Sequence, residues 1–240
     1  MKIEVWSDYV CPFCYIGKRR LEKALEHFPH KDHVQIEYKS YELDPSSPKD
    51  SDKGIHEALA SKYGMSVEEA RKTNEGIGRQ AAEAGLTFNF EDMVPANTFD
   101  AHRLTKFAKQ HGKDKELTEA LLHAYFTESK KLSDHAVLAD IAVSCGLDRN
   151  SAEEVLKDGQ TFSDDVRYDE MTAQQMGVRG VPFFVFNQKY AISGAQPPET
   201  FLGALEKVWQ EENASPVLQD LSGPDGASCE DGHCDLPGDK

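Results

Sequence analysis

Apolar and polar positions alternate over residues 2–6, with Ile3 and Val5 against Lys2 and Glu4, and a period of two predicts a strand. From Tyr15 the period lengthens. Ile16, Leu21, Ala24, Leu25 and Phe28 form the stripe of an amphipathic helix that stops at Pro29. Val34, Ile36 and Tyr38 then alternate with Gln35, Glu37 and Lys39, so the N-terminal part reads as a parallel strand–helix–strand unit, closed by the turn residues from Asp44 to Pro48. The long middle keeps a helical period almost throughout. Ser66 and Glu69 have the spacing of a capping box. Leu104, Phe107, Ala108 and His111 share one face of a helix ended by Gly112, and Leu117, Leu121 and Phe126 stripe the next. Further helical stretches are predicted at residues 134–145, 150–157 and 162–176. After Gly180 the run from Val181 to Phe186, a turn at Asn187-Gln188, and Tyr190 with Ile192 predict a hairpin. Pro197 and Pro198 suit the first turn of a last helix, whose buried stripe is Phe201, Leu202, Leu205, Val208 and Trp209.

Composition narrows the function classes. The 240 residues are 39% hydrophobic, enough for a core in one large domain or in one domain with an insertion. The formal net charge is −15, a field that repels phosphate backbones and anionic lipid headgroups, so neither nucleic acid nor membrane is an expected partner. No run approaches the ~20 apolar residues of a membrane helix or the apolar core of a signal peptide, and the expected compartment is the cytoplasm. From Asn213 the chain turns to Gly, Pro, Ser and acids, with six carboxylates opposed only by Lys240. So short an acidic segment buries too little surface to offset its ordering entropy, which predicts a flexible tail.

The chemistry lies in the cysteines, which are Cys11, Cys14, Cys145, Cys229 and Cys234. A close pair in a reducing compartment is more often catalytic or metal-binding than structural. Zinc would need four ligands. His102, His111, His123 and His135 are scattered through the helical region, so no metal site is expected. Cys11 falls at the predicted helix N-terminus, where free N–H groups and the macrodipole stabilise a thiolate, and Cys14 lies one turn further in. Cys11 is therefore the expected nucleophile and Cys14 the resolving thiol. Cys145 follows Val137, Leu138, Ile141 and Ala142 on a helical face and reads as a buried, inert thiol. For Cys229 and Cys234, a bridge closing so short a loop is worth only ~2 kcal/mol, with no fold to stabilise. His233 would make a third metal ligand, but no fourth is evident. An auxiliary redox pair is favoured over metal binding or tail thiols without function.

The order strand, CxxC, helix, strand, helical block, hairpin, helix resembles an α/β thioredoxin-like fold with a large all-helical insertion. Residues 1–44 and 178–212 would form the thioredoxin-like domain, 45–177 the inserted helical domain and 213–240 the flexible acidic tail with its CxxxxC. The stretches from Ser7-Asp8 to Cys11-Pro12-Phe13-Cys14 and from Val178 to Val181-Pro182 and Val185 resemble two hallmark motifs of the DsbA family. The run from Ser193-Gly194 to Pro197 points to its FrnE-like branch, some members of which carry a further cysteine pair in the tail. The resemblance implies a thiol–disulfide oxidoreductase with a cis Val181–Pro182 bond beside Cys11. Pro12, Phe13, Val181 and Pro182 would then position substrate, an extended segment pairing with Val181 as an added strand. Phe13 stands where the periplasmic oxidants carry His, and without that His a strongly oxidising potential is not expected. Implied partners are a disulfide- or thiol-bearing protein or small-molecule substrate and a cellular thiol reductant. The expected cofactor is none beyond the cysteines, with glutathione a candidate co-substrate, and the oligomeric state is open. A glutathione-dependent isomerase or kappa-type transferase shares the inserted-helix fold but generally has Ser at the nucleophile position, which Cys11 and Cys14 argue against. A holdase-type chaperone using a groove between the two subdomains is the non-enzymatic alternative.

Overall fold

The computed structural model describes residues 1–49, 51 and 53–213, with the backbone of Ser228–Glu230 and His233–Asp235. Strand β1 (Lys2–Ser7) leads into helix α1 (Pro12–Glu26), which crosses over to β2 (Gln35–Ser40). The two strands are parallel, with Lys2 opposite Gln35 and Ser7 opposite Ser40. Between β2 and the next strand come α2 (Ile55–Tyr63), α3 (Val67–Glu83), α4 (Phe99–Gln110), α5 (Asp114–Phe126), α6 (His135–Ser144), α7 (Arg149–Asp158) and α8 (Ser163–Gln175). Among the described residues this segment contains no strand. The chain returns as the hairpin β3 (Phe183–Phe186) and β4 (Tyr190–Ser193), then ends its packed part in α9 (Pro198–Glu212). Sheet order is β2-β1-β3-β4, with β3 antiparallel to β1, the arrangement of a thioredoxin-like fold.

Side-chain alternation along the strands assigns each face its cover. Ile3, Val5, Phe184, Phe186 and Ile192 meet Leu21, Ala24 and Phe28 from α1 and its end, and Phe201, Leu205 and Val208 from α9. Trp6 and Val185 point the other way, onto Ala173 of α8 and Val178 in the loop after it. There the Trp6 indole N–H donates to the Asp169 carbonyl at 2.9 Å. The last helix of the inserted segment thus lies on the sheet itself. Asn187 and Gln188, at the hairpin tip, have φ of 48° and 56°, the left-handed pair that matches the twist of the strands.

The inserted helices build their own core around Leu104, Leu117, Leu121, Phe126, Leu138 and Ala142, continued into α1 by Tyr15 and Ile16. Glu119 of α5 fastens the two parts together, accepting hydrogen bonds from Tyr15, Lys18 and Arg19 of α1. Ser66 and Glu69 form the capping box of α3. Most of the expected flexible tail lies outside the described residues. Within it β5 (Ser228–Glu230) and β6 (His233–Asp235) pair antiparallel with Cys229 directly opposite Cys234.

Candidate active site

Cys11 is the N-cap of α1, and Pro12 takes the first helical position, where a missing N–H costs no hydrogen bond. The first turn carries no acidic residue to cancel the positive end of the dipole. One turn on, the Cys14 N–H donates to the Cys11 carbonyl at 3.0 Å, and the two cysteines lie 3.3 Å apart as free thiols. Both are buried, at 3% exposure, whereas Phe13 between them is 37% exposed.

The second motif arrives from the far end of the chain. The Val181–Pro182 bond is cis, as the resemblance implies, and the Cys11 thiol lies 3.5 Å from the Val181 carbonyl oxygen, to which it donates. The Pro182 carbonyl accepts the Gly194 N–H at 2.8 Å, tying the loop to the end of β4. Gly17 permits this approach: a Cβ there would stand 3.1 Å from Pro182 Cγ and 3.2 Å from Phe184 Cζ. The fold thus brings Cys11, Cys14, Val181 and Pro182 together, with Pro12 and Phe13 in the adjoining turn.

The two sulfurs have unequal surroundings. Burial first, and then the neighbouring Cys11 sulfur, push the Cys14 thiol well above its ordinary range, and the Ser7 hydroxyl and the Asp8 N–H pull against them without prevailing. Asp8 touches both cysteines through its backbone: its carbonyl accepts the Cys11 N–H at 3.2 Å and its N–H donates to Cys14 Sγ at 3.4 Å. Its carboxylate, on a residue only 1% exposed, accepts the Leu43 N–H at 2.8 Å and lies 3.2 Å from His102 Nε2 of α4. The Tyr9 ring packs against His102 at a tilt of 36°, with ring centroids 4.7 Å apart. The sequence places Asp8 in the first motif and His102 only among the scattered histidines of the helical region. An acid set between a strand and a CxxC is a legible signal. Its partner 94 residues away is not.

A family model described as the DSBA-like thioredoxin domain matches residues 2–206. This chain belongs to that family. A probable DsbA oxidoreductase from Streptomyces coelicolor is 40% identical, with a TM-score of 0.84 over 99% of this chain and all of that one. The uncharacterized protein YwbO of Bacillus subtilis is 29% identical over 205 residues, 85% of this chain and 94% of its own length. A 2-hydroxychromene-2-carboxylate isomerase, 15% identical with a TM-score of 0.66 over 88% of this chain and 98% of that one, shares the fold. The DsbA-like chain is a thiol–disulfide oxidoreductase.

The remaining cysteines of this DsbA-like protein are Cys145, Cys229 and Cys234. Cys145 is half-buried rather than buried: it is the C-cap of α6, past the last turn, so the helical stripe does not carry it into the core. Burial still raises its thiol, only partly opposed by the Ser144 hydroxyl. Cys229 and Cys234 face each other in backbone register, and their side chains lie outside the described residues. Among the described residues no three His, Cys, Asp or Glu side chains converge on a metal position.

Proposed function

We propose that this DsbA-like protein is a cytoplasmic oxidoreductase of the FrnE-like branch, exchanging disulfides with protein or small-molecule substrates through Cys11 and Cys14. The observation that carries this reading is the Cys11 sulfur at a helix N-terminus, 3.3 Å from a second thiol and against the Val181 carbonyl. The Cys11 thiolate attacks one sulfur of a substrate disulfide, and the other leaves as a thiolate. Cys14 then attacks Cys11, closing the intramolecular disulfide and releasing the second substrate sulfur. A cellular thiol reductant, with glutathione the candidate, reopens the pair. Run in reverse, the same steps oxidise a dithiol. An extended substrate segment pairs along the Val181–Pro182 edge, with Pro12 and Phe13 beside it.

The run from Ser193-Gly194 to Pro197, whose Gly194 N–H braces Pro182, and the tail cysteines support the FrnE-like assignment. Cys229 and Cys234 act as an auxiliary pair that passes redox equivalents to Cys11 and Cys14, or guards them under oxidative stress. The unpaired Cys145 thiol suits a reducing compartment. An isomerase or kappa-type transferase reading has the fold in its favour but not the paired thiols.

The deciding experiment combines the reduction potential of the Cys11/Cys14 pair with turnover of insulin disulfides and of glutathione disulfide. With Phe13 in place of His, the potential is expected nearer thioredoxin, at about −270 mV, than DsbA, at about −120 mV. Cys11→Ser should abolish turnover of both substrates. A wild-type protein that exchanges neither disulfide refutes the reading, and protection of an unfolding client that survives Cys11→Ser would favour the holdase instead.

A further inference from the structure

The Asp8–His102 pair is buried immediately behind the CxxC and takes no part in the exchange chemistry described above. Asp8 is clamped at every polar group it has. Its carbonyl holds the Cys11 N–H, its N–H meets Cys14 Sγ, and its two carboxylate oxygens are taken by the Leu43 N–H and by His102. Its segment, between the end of β1 and the start of α1, lies outside any strand or helix, so no ladder of backbone hydrogen bonds fixes it and side-chain contacts such as these turn the Asp8 peptide. Of its side-chain partners, Leu43 offers a backbone N–H that survives any substitution but proline. His102 is the one a mutation can remove. At 2% exposure, neither it nor the carboxylate has bulk water to substitute for the other.

We propose that His102 is a positioning residue for the resolving cysteine: through the Asp8 carboxylate it keeps the Asp8 N–H on the Cys14 sulfur, where negative charge collects during exchange. The inference rests on the oxidoreductase reading and adds a residue that never touches sulfur. In the closing step, Cys14 reacts as a thiolate. Its electron pair forms the bond to Cys11 Sγ, the bond from Cys11 to the substrate sulfur breaks, and that sulfur leaves with the electron pair and is protonated by solvent. In the opening step a thiolate attacks Cys11, and Cys14 departs as the thiolate. The Asp8 N–H serves Cys14 in both directions and touches the substrate sulfur in neither. Loss of His102 leaves the Asp8 carboxylate a donor short in a buried site; it must turn to find another, and the peptide N–H turns with it.

The test uses full-length chain in which Cys145, Cys229 and Cys234 are serine, reacted with the symmetrical aromatic disulfide of thionitrobenzoate. One equivalent is released when Cys11 attacks, and a second when Cys14 closes the ring, so both steps are timed in one molecule. His102→Ala should slow the second release about tenfold, the worth of roughly one hydrogen bond, and leave the first within about twofold. His102→Gln, whose amide N–H can still reach Asp8, should restore the second release to within about threefold. The proposal is overturned if His102→Ala closes its ring at the parent rate, if both releases slow by the same factor as general damage would cause, or if His102→Gln is as slow as His102→Ala. Because the probe is not a natural substrate, a chain that closes its ring in a His102-dependent way yet turns over neither insulin nor glutathione disulfide would uphold this inference while the proposed function fails. A parent chain that never closes the ring would sink both.

Discussion

Cys11 and Cys14 share one helical turn but not one setting, because only Cys11 stands at the N-cap and meets the Val181 carbonyl. Cys14 is held up in its protonated form chiefly by burial, and the donors around it do not outweigh that. The asymmetry predicts that Cys14→Ser accumulates a mixed disulfide at Cys11 when given glutathione disulfide. Cys11→Ser should accumulate none at Cys14, and intact-protein mass spectrometry reads both; an adduct on Cys14 of comparable yield would reverse the assignment. Phe13 sets the second prediction. A His in its exposed position would place a donor beside the helix N-terminus and favour the reduced, thiolate form. Phe13→His should therefore raise the potential of the pair by about 30 mV or more, the equivalent of roughly 1.4 kcal/mol, in equilibration with glutathione buffers. An unchanged potential would show that the helix end alone sets it.

Among the elements, α1 carries the most responsibility, since it holds both cysteines, packs on the sheet and anchors the inserted helices. Its approach to the Val181–Pro182 loop depends on Gly17. A branched side chain there has to displace a proline ring and a phenyl ring, so Gly17→Val should cost about 1–3 kcal/mol in urea unfolding. On its other side, α1 is tied to α5 through Glu119. Burial disfavours that carboxylate's charge, but the donors Arg19, Lys18 and Tyr15 prevail and bring it down to about 2. A carboxyl whose folded value is depressed contributes stability above its unfolded value and loses it as pH falls toward the folded one. Stability from this cluster should therefore be full above about pH 5 and decline toward pH 2. Glu119→Gln should cost about 1–2 kcal/mol at pH 7, a figure reduced because a third of the side chain meets solvent, and the gap to wild type should narrow on acidification. A gap independent of pH would mean that packing, not charge, joins α1 to α5.

Across the whole molecule, the clusters on both faces of the sheet and within the inserted helices draw, among the described residues, on positions up to α9, which ends at Glu212. Ending the chain after Asn213 should leave the melting temperature within about 2 °C, a shift worth about 1 kcal/mol at most, yet slow turnover or recovery from peroxide. Equal turnover and equal peroxide sensitivity would remove the tail pair from the cycle. The order of elements and the CxxC pair were legible in the chain because each rests on local physics. A period of two or of 3.6, a proline at a helix start and a CxxC at a strand-to-helix junction all act within a few residues. The second motif was also legible, since Val181-Pro182 is a contiguous string. What α8 covers was not, because an amphipathic stripe states that a helix is buried on one face without naming the surface it meets. Nor was the fate of Cys145, which the stripe alone would bury and the C-cap leaves half open. The sequence by itself determined the CxxC pair, its place at a strand-to-helix junction and the family of folds that could hold it. Tertiary structure alone set His102 of α4 against Asp8, because that contact depends on how a helical block docks against a sheet, a long-range packing outcome that no local pattern encodes.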